Sequence, residues 1–392
     1  MKKIISTEGL VKCGWIAVLA AAVTAQAEEK GIKFNNLTVS PYVNVEYKYD
    51  SNVDADRREF SDSILHVTPG VDLRYEGNDW GISADLFYGY NKYMKYDELD
   101  SRRWGERVKA WWETEKGWKL VLGESYVQSK DSDSIIDGGR GVWRDREQIQ
   151  FTGALSYTTE RNRIAVDAAY SDLDYHNDPK RYQQLYGWSR WSAGLEFARR
   201  LTEKTNFLIG GDLGQYNSDG AKHRGYKNES SFYSLQAGIG SRASSKITYR
   251  LMTGVSWFDY GNDDLMTGWI YSADVSWVIN PKFALTIAGT SYYQPSESVA
   301  NQASKIYMLG AGLTYRPFKK LSGRFDLSWR RETEERSSDY DEDMISARIR
   351  ADYRFAKYMS VYAGFRFDKR FAETSYYEYD RYIGTVGLRL SY

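Results

Sequence analysis

Hydrophobic and polar residues alternate with a period of two from residue 37 to the end of the chain. In "LTVSPYVNVEYKYD", Leu37, Val39, Val43, Val45 and Tyr47 share one face, and Ser40, Asn44, Glu46 and Lys48 share the other. The final stretch, "RYIGTVGLRLSY", sets Tyr382, Gly384, Val386, Leu388, Leu390 and Tyr392 against Arg381, Thr385, Arg389 and Ser391, with only Ile383 breaking the polar side. A period of two marks strands whose two faces meet different surroundings. Such runs fall at about 37–49, 63–76, 80–92, 103–114, 118–129, 146–158, 163–174, 189–200, 206–216, 231–241, 247–258, 268–279, 283–293, 305–316, 321–331, 344–355, 359–369 and 380–392, eighteen predicted strands in all. No amphipathic helix competes with them. Pro41 and Pro69 sit inside the first two runs, where a residue without an N–H calls for a bulge or a late start to pairing.

The connections sort by parity. Short ones ("GND", "EKG", "TERN", "LTEK", "SRASSK", "NPK", "PFKK", "AKY") alternate with longer polar segments such as "KDSDSIIDGGRGVWRD", "NSDGAKHRGYKNES" and "RETEERSSDYDED". Tight turns at one end and long loops at the other are the pattern of an antiparallel up-and-down transmembrane β-barrel, with short periplasmic turns and longer extracellular loops. A sandwich with Greek-key crossings would not sort its connections this way.

Aromatic residues on the apolar face test that reading. Tyr75, Trp80, Trp112, Trp118, Tyr157, Phe197, Phe207, Trp277, Phe283, Tyr315, Phe355 and Tyr392 fall beside the short turns. Tyr47, Tyr90, Trp104, Tyr126, Tyr170, Trp191, Tyr233, Trp257, Trp269, Tyr307, Trp329, Phe367 and Tyr382 fall at the opposite ends. Their usual separation in a strand corresponds to roughly 20–25 Å along a barrel axis tilted about 40° to the strands. The apolar band of an outer-membrane barrel is about 25 Å tall. The expected surroundings are therefore lipid outside and water inside.

Composition refines this picture. Lys2, Lys3 and Lys12 flank an apolar run, "GWIAVLAAAV", that leads to Ala25-Gln26-Ala27, so residues 1–27 read as a cleaved signal peptide. Residues 28–36 would be a short periplasmic segment and 37–392 the barrel. The one cysteine, Cys13, lies in the leader, and the chain uses no disulfides. The leader carries three lysines and one glutamate of the 53 basic and 53 acidic residues, so the remainder is close to neutral and nothing argues for nucleic acid. After the leader no apolar run is long enough for a membrane-spanning helix. Aromatics make up 16% of the chain.

"VNVEYKYDSNV" near the start, the even meander and the terminal strand together resemble the outer-membrane β-barrel porin families, the second of them in particular. The resemblance spans nearly the whole exported chain and implies a barrel of the Gram-negative outer membrane associated with polysaccharides. It brings no set of functional residues. The last eight residues, "TVGLRLSY", also resemble the sorting signal read by the outer-membrane assembly machinery, with Thr385, Gly387, Leu390 and Tyr392 in its places.

Candidate chemistry is sparse. His66 faces inward, whereas His176 and His223 fall in outer loops, and no nucleophile and base pair by spacing, so no enzyme is expected. Asp131, Asp133, Asp263, Asp264, Asp339, Asp341 and Asp343 carry the oxygens that calcium prefers, but none sits in a twelve-residue EF-type loop. A solvated rim meeting divalent ions at a lipopolysaccharide surface is the plainer reading. The polar face of the last five strands is more informative. It carries Arg316, Arg324, Arg330, Arg348, Arg350, Arg354, Arg366, Arg381 and Arg389 against Asp326, Asp352 and Asp368. Such a wall either draws anions into a pore or forms a structural ladder of ion pairs. The first strands, with Glu46, Lys48, Asp72, Arg74, Asp85, Arg107 and Lys109, are mixed in sign.

Eighteen strands leave an aqueous channel unless a loop fills it. The loop at roughly 130–145 is the candidate to constrict it. The expectation is passive diffusion of hydrophilic solutes, anionic or saccharide, or export of a polysaccharide, without a cofactor. A non-conducting structural or surface-interaction barrel and a barrel enzyme acting on lipid stand as alternatives. Oligomeric state is not written in the sequence.

Overall fold

A computed structural model of the chain describes residues 31–53, 55, 59–130, 145–176, 187–218, 229–241, 244–259, 265–295, 303–334, 341–372 and 378–392. The expected signal peptide, most of the 130–145 loop, His223, Asp131, Asp133, Asp263, Asp264 and Asp339 lie outside these residues, as does the side chain of His176.

The strands are β1 (Ile32–Phe34), β2 (Leu37–Asp50), β3 (Asp62–Glu76), β4 (Trp80–Tyr93), β5 (Ser101–Glu113), β6 (Trp118–Ser129) and β7 (Asp145–Thr158). They continue as β8 (Asn162–His176), β9 (Trp188–Arg200), β10 (Thr205–Ser218), β11 (Glu229–Ser241), β12 (Ile247–Asp259) and β13 (Leu265–Asn280). The last six are β14 (Phe283–Pro295), β15 (Ala303–Phe318), β16 (Leu321–Glu334), β17 (Glu342–Ala356), β18 (Met359–Ala372) and β19 (Tyr379–Ser391). Each predicted run coincides with one of β2–β19 to within three residues at either end. Every neighbour pairs antiparallel, and β19 returns to β2 from Ile383↔Asp50 to Ser391↔Tyr42, closing an eighteen-strand barrel. Closure removes the free edges that a sheet cannot leave bare in lipid.

Two local features were not read from the pattern. The segment before the barrel contributes β1, paired to the start of β2 through a turn in which Asn35 takes φ 54°. Pro69 causes neither a bulge nor a late start. The β3–β4 ladder skips two pairs between Val67↔Tyr90 and Gly70↔Phe87, then resumes in the same register. Pro41 stays paired with Val71 of β3 and lies just past the end of the β2–β19 ladder, where its carbonyl accepts from Tyr392 N at 3.0 Å. Neither ring displaces a strand.

The short turns close with side-chain oxygens. Asn280 Oδ1 accepts from the N–H groups of Lys282 and Phe283, Thr202 Oγ1 from Lys204 and Thr205, and Ser244 Oγ from Lys246 and Ile247. Such local bonds reverse the chain within a few residues.

Outward residues form two aromatic rings. Beside the short turns, Tyr75 stacks on Trp80 at 4.9 Å, Phe283 on Tyr315 at 4.4 Å and Tyr392 on Tyr358 at 4.8 Å, and Trp118 meets Tyr157 at a tilt at 4.7 Å. At the long-loop end, Trp104 meets Tyr126 at 4.9 Å and Phe367 meets Tyr382 at 5.1 Å. Between the rings the outward face is apolar and exposed, as in Leu122, Leu195, Leu235, Ile349 and Val386. Glu106 and Glu124, on adjacent strands, are the only charged residues at outward positions between the rings among the described residues.

Candidate functional site

The inward face is the candidate site, and its character changes along the axis. At the long-loop end the inward side chains are buried. Asp50, Asp62, Ile64, Phe258, Ser304 and Ile306 are fully covered, and Tyr93, Ile270, Asp368, Arg370, Arg381 and Ile383 nearly so. Ile383, the break in the last strand's polar side, is thus an inward residue buried at this end. Toward the short turns the wall opens onto a cavity of about 330 Å³ lined by Asp72, Arg74, Ser83, Asp85, Arg107 and Lys109.

Alternation puts all nine sequence-predicted arginines of the last five strands on this face, and at least six of them lie beside a carboxylate. Arg324 donates to Asp326 at 2.8 Å, Arg330 to Glu332 at 2.7 Å, Arg350 to Asp352 at 2.8 Å and Arg366 to Asp368 at 2.8 Å. Each of these pairs is two residues apart in one strand, as side chains sharing a face must be. Arg381 grips buried Asp50 through Nε and Nη2 at 2.9 and 2.5 Å, across the closing seam. Arg389 reaches Asp72 at 3.7 Å. Arg370 pairs with Glu342. Glu332, Glu342 and Arg370 were missed because they lie at or beyond the ends of the predicted runs. Asp50 and Asp72 were missed as partners because only closure of the ring brings the two chain ends together.

A second device recurs around the wall. An inward aromatic ring lies over a glycine of the neighbouring strand, with a guanidinium over the ring. Tyr362 covers Gly387 and carries Arg350 at 3.9 Å. Tyr42 covers Gly70 and carries Arg389 at 4.6 Å, and Phe232 covers Gly214 and carries Arg190 at 4.7 Å. Trp111 covers Gly81 with Arg74 at 5.8 Å. Glycine allows the ring to lie flat on the backbone, and the cation is drawn to the ring face. The Tyr hydroxyls tie into the same wall, Tyr42 donating to Asp85 at 2.9 Å and Tyr362 to Glu46 at 2.7 Å.

The positions of the expected sorting pattern lie on or just past β19. Thr385 faces inward, Gly387 lies beneath Tyr362, and Leu390 and Tyr392 face outward. His66 Nδ1 lies 2.5 Å from Asn91 Oδ1 on the inner wall. Of the acidic residues read as loop, Asp341 precedes β17 while Asp343 lies within it, because the strand starts earlier than its apolar pattern, and both lie against Arg331, at 3.4 and 3.9 Å. Asp343 also accepts from Trp329 Nε1 at 2.8 Å.

An apolar belt between aromatic rings, a closed antiparallel meander and a charged interior define a transmembrane β-barrel with a polar lumen. The family model described as "Putative beta-barrel porin 2" matches residues 25–392, and the chain belongs to that family, in the outer membrane. No curated protein matches the sequence. Among solved structures, a mutant ferric enterobactin receptor from Pseudomonas aeruginosa aligns at TM-score 0.48 and 7% identity, over 93% of this chain and 81% of that one. The FrpB iron transporter from Neisseria meningitidis aligns at 0.48 and 11%, over 87% and 62%. The ferric-catecholate import receptor Fiu from E. coli K12 aligns at 0.48 and 7%, over 93% and 82%.

Proposed function

We propose that the protein is a passive channel through which hydrophilic solutes, saccharides and small anions among them, cross the outer membrane. The observation that carries this reading is the charged, half-exposed inner wall around the 330 Å³ cavity. Selection would rest on width first and charge second. Guanidinium groups held by carboxylates keep much of their field at home, so the arginine wall is mainly a ladder that stiffens the barrel, with a modest residual pull on anions. Purified protein in planar bilayers tests this. Stepwise ion current with a small anion-side reversal potential in a salt gradient is expected, and clear cation selectivity would contradict the charge argument. The buried inward residues at the long-loop end favour a second reading, a barrel closed to ions, and persistent silence in bilayers would decide for it.

A further inference from the structure

We propose that the outer end of the β14–β15 hairpin is a two-position element: it lies tucked inside the barrel in this structure and can zip onto β13 to widen the outer mouth. The proposed effect on the mouth rests on the channel reading above; the movement itself does not.

The wall forks at one place. The β13–β14 ladder stops at Ser272↔Thr290, although β13 stays paired to β12 as far as Asp259↔Leu265 and β14 stays paired to β15 as far as Pro295↔Ala303. Above the fork Ser291 Oγ accepts from Tyr271 N at 3.0 Å, taking the place of a backbone partner. Beyond it β14 comes against β12, one strand further round. Tyr293 packs with Phe258 and Ile270, which alternation places on the inner face of β12 and β13, and its ring lies over Gly268 of that same face. The hairpin therefore crosses β13 on the lumen side. Ile306 and Ser304, on its other face, are fully buried as well.

The sequence pattern describes the other position. Counting by twos from Phe283, Tyr293 falls on the lipid face at the depth of the outer aromatic ring, beside Lys305 and Tyr307 on β15. Lys305 already lies 5.3 Å from both rings. Continuing the observed register would set Ser291 opposite Tyr271 and Tyr293 opposite Trp269. The tucked position gains a buried tyrosine but leaves the hydroxyls of Ser272 and Thr290 buried without hydrogen-bond partners at the fork. The zipped position gains ladder bonds and gives up the buried ring. The fork lies at the level of the outer ring, where water and headgroups can serve β13's released backbone groups, so neither position strands polar backbone in hydrocarbon.

Cysteine pairs decide the matter in the full chain with Cys13 replaced by Ala. W269C/Y293C reports the zipped position and F258C/Y293C the tucked one. Folding of each variant is checked by heat-modifiable electrophoretic mobility. Both pairs are expected to close under mild oxidant, the first raising the single-channel current and the second lowering it, with reduction reversing each. Closure of F258C/Y293C alone, with both W269C/Y293C thiols still open to maleimide, overturns the proposal, as does closure of W269C/Y293C with unchanged current through a conducting barrel. If the parent carries no current, the channel reading fails, and the movement is still decided by which pair closes.

Discussion

Gly387 shows what one residue does here. It stands in the glycine place of a terminal stretch that resembles a sorting signal, and the Tyr362 ring lies where its Cβ would be. Gly387→Ala should destabilise the folded barrel by about 1–3 kcal/mol through overpacking. The loss would appear as a lower temperature for disappearance of the heat-modifiable band. Little further loss on adding Gly387→Ala to Tyr362→Ala, where the ring is gone, assigns the effect to packing; an equal loss in both backgrounds would show that the ring does not crowd position 387. Glu106 and Glu124 are the opposite case, residues that the alternation places on the wrong side. They face outward two positions below Trp104 and Tyr126, inside the apolar band. Carboxylates near the interface cost less than cations at the midplane, so Glu124→Leu should stabilise the barrel by up to about 1 kcal/mol in detergent thermal melts. A destabilised variant would mean that these glutamates are held by a contact the single barrel does not supply.

At the scale of elements, the barrel depends on the meeting of its first and last strands. Arg381 on β19 and Asp50 on β2 are both buried, and their bidentate pair spans that seam. Asp50 also holds buried Lys48, whose Nζ lies 3.8 Å away, so Asp50→Leu takes a carboxylate from two buried cations and should cost about 3–5 kcal/mol. Arg381→Leu should cost less, because Lys48 stays beside Asp50. Equal losses in the two variants, measured by urea unfolding in lipid vesicles, would show that Asp50 does not act as the shared partner. Asp62 ties the next hairpins together in a different way. Its carboxylate accepts from the backbone N–H groups of Ser63, Met94, Lys95 and Tyr96, anchoring the β4–β5 connection to the start of β3.

The whole molecule separates two solvents. Its apolar belt is outward and its charge inward, so the folded protein should need detergent or lipid. A chain that stays folded in plain buffer would contradict the architecture. Charge selectivity is likewise a property of the full ring. The wall holds arginines whose partners neutralise them locally, and Asp352→Asn together with Asp72→Asn should strengthen the field of the half-exposed Arg350 and Arg389 in the lumen. The measurement is the reversal potential in a salt gradient, expected to move toward stronger anion preference. No movement would mean that these positions do not face the conducting path.

The alternation of side chains fixed eighteen strands, their facing, the two aromatic rings and the sorting of short and long connections, because each follows from geometry within a single strand. Even the arginine pairs two residues apart in one strand belong to that level. What only the tertiary structure decided depends on neighbours distant in sequence. Closure put Asp50 against Arg381 and Asp72 against Arg389. Adjacent strands laid Tyr362 and Tyr42 over glycines. The fork at Ser272 and Thr290 carried Tyr293 from the lipid side, where its period places it, into the lumen. A period-two code specifies which way a residue points from its own strand, and it cannot say where that strand will go when it leaves the wall.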